Sequence, residues 1–134
     1  MSKLISALLL LCLSGCWPVA VVKPDPVTHV VVCWLKQPGN ESDRAKLIHA
    51  SYTFRSIPGV QSVTAGRPIP STRPVVDSSF DVAVVIQFKS EAALRDYEQH
   101  PLHQKAVSDV LKPLTARILI YDVRDDRLSP VTKR

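Results

Sequence analysis

Residues 80–88 read FDVAVVIQF, and the alternation in this stretch decides the fold. Phe80, Val82, Val84, Ile86 and Phe88 recur at period two, so one face of an extended segment is wholly apolar. The opposite row still offers Ala83 and Val85. Upstream, residues 28–36 (THVVVCWLK) are β-branched and aromatic, bounded by Pro26 and the Pro38-Gly39-Asn40 turn, and predict a first strand. That strand is apolar on both faces, with Val31, Cys33 and Leu35 on one and Val30, Val32 and Trp34 on the other. Between the two strands, Asn40 or Ser42 caps a helix running to about Ser56, which Pro58-Gly59 stops. It carries Leu47, Ile48, Tyr52 and Phe54 near one face. Residues 60–67 alternate as a half-buried strand, and residues 68–79, with Pro68, Pro70 and Pro74, form a long loop. Downstream, Ser90 caps a helix with Ala93, Leu94 and Tyr97 at helical spacing, and His100-Pro101 breaks it. A second helical piece at about 102–111 precedes a last strand at 116–123 (ARILIYDV).

The order β-α-β-β-α-β predicts an α+β, ferredoxin-like split domain: an antiparallel four-stranded sheet with both helices on one face. The uncovered face then presents Ala83 and Val85, together with one of the two apolar rows of the first strand, to water, at about 25 cal/mol per Å² of wet apolar surface. Either a second copy covers it, closing a dimeric α+β barrel about a two-fold axis, or the 68–79 loop folds over it. The homodimer is the economical solution. Asp81 and Asp122 lie within strands and are expected at the barrel seam, opposite a cation such as Arg67 or Arg117.

The amino terminus places the protein. Lys3, the apolar run 4–13 and the small residues Ser14 and Gly15 before Cys16 form an export signal too short to span a bilayer, which takes roughly 20 residues. Leu13-Ser14-Gly15-Cys16 resembles the lipobox of bacterial lipoproteins, which implies cleavage before Cys16 and a lipid on its thiol. The expected organisation is a signal peptide at 1–15, a proline-rich lipidated tether at 16–27, a single domain at 28–123 and a flexible tail at 124–134. The location is a bacterial cell envelope. Trp17, rather than the aspartate associated with inner-membrane retention, points to the outer membrane facing the periplasm.

The 134 residues carry a formal charge of +5, and loss of Lys3 leaves +4. Arg124, Arg127, Lys133 and Arg134 are interspersed with Asp125 and Asp126, a solvated tail, and nucleic acid is not expected as a partner. With Cys12 removed and Cys16 lipidated, Cys33 has no disulfide partner and reads as a buried small hydrophobe. His100 and His103 stand three apart with no cysteine or paired carboxylate to complete a ligand set, so neither metal nor cofactor is expected.

In order and spacing, THVVVCWLK, IPGVQSVTAGRP, FDVAVVIQFKSEAALRDYEQHPLHQKAV and ILIYDV resemble the stress-responsive dimeric α/β-barrel (Dabb) family over residues 28–123. The most specific element is Tyr97-x-x-His100-Pro101-x-His103. The resemblance implies a homodimeric barrel with a pocket between sheet and helices in each subunit. In a plant branch of polyketide cyclases, the residue corresponding to His103 serves as base and those corresponding to His29 and Tyr97 assist. Another pocket tyrosine of that branch falls near Ala50, with Tyr52 only nearby. Histidine moves protons near neutral pH and tyrosine can donate to a developing enolate. His29, Tyr97 and His103 are therefore the candidate catalytic residues, and His29, Tyr97, His100 and His103 the candidate ligand-binding set. Two functions follow as expectations: a lipid-anchored module that binds a small apolar or aromatic compound or supports assembly, under stress, or a cofactor-free enzyme acting on a carbonyl or polyketide-like compound.

Overall fold

A computed structural model describes residues 25–125. The signal peptide, Cys16, nearly all of the tether and most of the tail lie outside the described residues. Strand β1 (Val27–Leu35) leads through a turn to α1 (Glu41–Thr53), a 3-10 turn (Phe54–Ser56), β2 (Val60–Gly66) and β3 (Val82–Phe88). Then come α2 (Glu91–Gln99), α3 (Pro101–Ala106), a π-helical stretch (Val107–Leu111), a last turn α4 (Lys112–Leu114) and β4 (Thr115–Arg124). The sheet order is β2-β3-β1-β4, antiparallel throughout, the ferredoxin-like arrangement.

Local chemistry fixes the element ends. Asn40 caps α1 by accepting from the Asp43 N–H, and Ser90 caps α2 by accepting from the Ala93 N–H. Strand boundaries fall one or two residues from the expected ones. Val27 belongs to β1 rather than to a tether, and Arg124 to β4 rather than to a flexible tail. Pairing with β1 explains both: Val27 lies opposite Arg124, the Asp125 N–H donates to the Pro26 carbonyl, and Arg124 makes ion pairs with Asp25 and Glu91. The two ends of the domain are stitched side by side.

The core is the helix-facing side of the sheet. Cys33, Val82, Ile86 and Phe88 are fully buried, and Leu47, Phe54, Leu94 and Tyr97 cover them from the helices. Burial pushes the Cys33 thiol up to about 11, so it stays protonated and inert. Gly59 is needed where the chain turns into β2. Its φ is +89°, and a Cβ there would stand 2.6 Å from the Ala93 Cβ. Gly59→Ala is expected to cost about 2–4 kcal/mol, from the left-handed backbone and the forced separation of β2 from α2. Urea unfolding checks it: an unchanged midpoint would refute the packing described.

Asp81 is not at a seam with Arg67 or Arg117. Its carboxylate is buried before β3, where it accepts from the N–H groups of Leu35 and Gly39 and pairs with the buried Arg44 of α1. Arg67 instead pairs with Glu41, and Arg117 lies over the Trp34 ring at 4.3 Å.

The other face of the sheet is open. Val30, Val32 and Trp34 are only half-buried there, and Tyr121 and Val123 are more than half exposed. The 68–79 loop leaves this face uncovered: Ile69 and Val75 point to solvent at 84% and 90% exposure, and its hydrogen bond to the face comes from Trp34 to Ser79 Oγ.

Candidate functional site

A cavity of about 300 Å³ lies between the helix-facing side of the sheet and the helices. Val31, Val84, Ile86, Leu47, Phe54 and Ile118 make most of its wall apolar, and His29, Tyr97 and His103 bring polar atoms to it.

Each polar group is placed by a different element. His29 is the third residue of β1 and faces inward with Val27 and Val31, only 4% exposed. Directly across the β1–β4 ladder stands Asp122, and the His29 Nδ1–H donates to its Oδ1 at 2.6 Å. A carboxylate can only accept, so the pair keeps the proton on Nδ1 and leaves Nε2 as the second site of the ring. Asp122, expected opposite an arginine, is therefore the partner of His29.

Tyr97 is 2% exposed on the inner face of α2. Its ring sits 5.0 Å from Phe88, 5.4 Å from Phe54, 4.3 Å from His103 and 6.0 Å from His29, centre to centre. Burial, with a smaller push from Glu98, raises the phenol far above its ordinary range, so it acts only as a protonated group.

The helix break carries His103 onto Tyr97. His100 caps α3, its Nδ1 accepting from the Leu102 N–H, and Pro101 occupies the first helical position. The redirected chain brings His103 back over the tyrosine, where its Nδ1–H donates to the Glu98 carbonyl at 3.1 Å. Burial, outweighing the bond to Glu98, holds the His103 imidazole below the usual value of about 6.5, and His29 and His100 add to the depression. His103 is thus favoured neutral, and the stability this confers is lost as pH falls below about 6.5 toward the folded value. In an imidazole NMR titration, the His103 midpoint is expected below that of free imidazole side chains; a midpoint at or above 6.5 would contradict the buried placement.

Of the four histidine and tyrosine candidates, His29, Tyr97 and His103 come together at the cavity, whereas His100 is a capping residue outside its wall. Among the described residues no group of His, Cys, Asp or Glu could hold a metal ion. The geometry suits proton exchange and hydrogen bonding with a mostly apolar guest.

Residues 27–125 match the model of the Stress responsive A/B Barrel Domain, or Dabb. The chain belongs to the Dabb family. Among solved structures, the Dabb domain is similar to a Dabb family protein with a ferredoxin-like fold from Mesorhizobium loti. The two share 25% identity and a TM-score of 0.61 over 74% of this chain and 95% of that one. It is also similar to a dimeric ferredoxin-like protein of unknown function from Thermobifida fusca, at 19% identity and TM-score 0.62, covering 75% and 92% of the two chains. A second dimeric ferredoxin-like protein of unknown function, from Jannaschia sp., matches at 20% identity and TM-score 0.60, covering 73% and 97%. No curated protein matches the chain.

Within the Dabb domain, Ala50, near which the resemblance to the cyclase branch implies a tyrosine, lines the cavity. Tyr52 does not substitute for it: its hydroxyl donates to the Ala65 carbonyl and its ring is covered by Arg55. Sequence reasoning missed Ser51 and Glu98 on the wall. The signal for Ser51 was its spacing of four from Leu47, the residue whose carbonyl accepts its hydroxyl.

Proposed function

We propose that this Dabb domain is a small-molecule-binding module, tethered to the outer membrane of a bacterial envelope through lipid on Cys16 and acting as a homodimer. The observation that carries the binding role is the apolar cavity with His29, Tyr97 and His103 at one place on its wall. Concave, mostly apolar sites with few convergent polar groups are the usual form of ligand pockets. The open sheet face supports the dimer, as do the similar proteins described as dimeric. The sequence Leu13-Ser14-Gly15-Cys16 supports the anchor, and the family description supports a role under stress.

A second reading is favoured by the His29–Asp122 pair at 2.6 Å. A histidine oriented by a carboxylate, beside the His103 imidazole that burial favours neutral and a protonated phenol, is an arrangement able to move a proton on a carbonyl or polyketide-like compound without a cofactor.

Native mass spectrometry of the purified protein against a panel of small alkylated aromatics tests the binding role. One ligand per subunit is expected, weakened at least about tenfold in a His29→Gln, His103→Gln double variant. Equal binding by both proteins would refute the site. Turnover of a carbonyl compound that the double variant loses would favour the enzyme. Cys16→Ser is expected to release the protein from membranes; unchanged membrane retention would refute the anchor.

A further inference from the structure

Apart from Ser51 and the exposed Glu98 and Lys112, three polar side chains line the cavity, and their fixed partners dictate what each can offer a guest. His29 and His103 each direct Nδ1 at an oxygen, of Asp122 and of Glu98 respectively, so Nε2 is the atom each ring has left for a guest, a lone pair wherever the ring is neutral. Among the described residues the Tyr97 hydroxyl donates to no protein group, and no side-chain nitrogen or oxygen is both buried and without a partner. With both residues nearly fully buried against the cavity, the Tyr97 hydroxyl and the His29 Nε2 open into it. Ser51 adds no donor, since its hydroxyl is given to Leu47. Apart from the exposed Glu98 and Lys112, the inventory with both rings neutral is one donor and two acceptors.

Resting on the ligand-site reading above, we infer that the cavity selects a small neutral compound with a hydroxyl on an apolar body, a phenol, enol or alcohol, over the corresponding carboxylate or ammonium ion. A hydroxyl can donate to an imidazole and accept from Tyr97 at once. A carboxylate has no hydrogen for either lone pair, and at His29 it meets an imidazole whose other side Asp122 already occupies. An ammonium ion has hydrogens but nothing to accept from Tyr97, and must leave water for an apolar wall. The charged residues on the wall, Glu98 and Lys112, are both exposed and of opposite sign, so neither charge is neutralised deep in the cavity. A volume of about 300 Å³ equals about ten water-sized groups, enough for one ring with a short alkyl chain.

The test uses para-propylphenol, para-propylbenzoate, para-propylbenzylamine and propylbenzene, titrated calorimetrically into the full protein at pH 8, where neutral imidazole prevails in general. The phenol is expected to bind at least about tenfold more tightly than each of the others. Tyr97→Phe is expected to weaken the phenol about five- to tenfold and leave propylbenzene unchanged. Should that variant fold poorly, His103→Leu is expected to weaken the phenol selectively in the same way. If the benzoate, the amine or propylbenzene matches the phenol, the inference is overturned while the ligand site stands; if none of the four binds, both fall.

Discussion

Asp81→Ala is expected to destabilise the domain by about 3–5 kcal/mol, the largest effect of any single substitution considered. The Asp81 carboxylate joins three parts of the chain: the end of β1 through the Leu35 N–H, the following turn through the Gly39 N–H, and α1 through Arg44. Truncation leaves the buried Arg44 with the Asp81 carbonyl and the exposed Glu41 as its partners and orphans two backbone donors. For a domain of this size the melting temperature should fall by roughly 15–25 °C. Arg44→Met should be milder, because both backbone donors keep their acceptor. Burial alone would raise the Asp81 carboxyl, but the two N–H groups and the Arg44 guanidinium outweigh it and hold it below the usual carboxylate value. Its contribution is therefore whole above about pH 4 and is lost as pH falls through the lower folded value. Calorimetric melting against pH should show this acid loss flattened in Asp81→Ala; an unaltered profile and melting temperature would refute the role.

Val32→Glu is expected to dissociate the proposed homodimer while leaving each subunit folded. Val32 is central on the open face, opposite Ala83 in β3 and Leu119 in β4. In a lone subunit it is only half-buried, so a carboxylate there reaches water. Across a two-fold interface each substitution counts twice, and burying one unpaired charged group per copy at about 2 kcal/mol or more weakens the dimer by at least about a thousandfold. Sedimentation velocity at micromolar concentration should show the parent as dimer and the variant as monomer with an unchanged circular dichroism spectrum. A monomeric parent would remove the dimer from the account and leave the fold in place.

Four strands and the helices between them were legible because period-two and helical spacings are local properties of residues such as Val82–Phe88 and Ala93, Leu94 and Tyr97. Capping by Ser90 and the break at His100-Pro101 were legible for the same reason. The partners of Asp81 and Asp122 were not. Arg44 is 37 residues from Asp81 and His29 is 93 from Asp122, and such pairings depend on strand register and helix placement, which no local pattern encodes. The π-helical turn at Val107–Leu111, part of the cavity wall, has no sequence signature apart from that of an ordinary helix. His103 could be chosen as a site residue from its motif, but its contact with Tyr97 depends on the chain direction set after Pro101.

The central claim is that His29, Tyr97 and His103 face one guest. Nitrogen NMR of the imidazole rings during addition of para-propylphenol tests it most directly, with the exposed His49 of α1 as internal reference. Saturable shifts of Nε2 in both His29 and His103, with His49 unmoved, are the predicted result. Rings at 29 and 103 that respond no more than His49 would contradict the account.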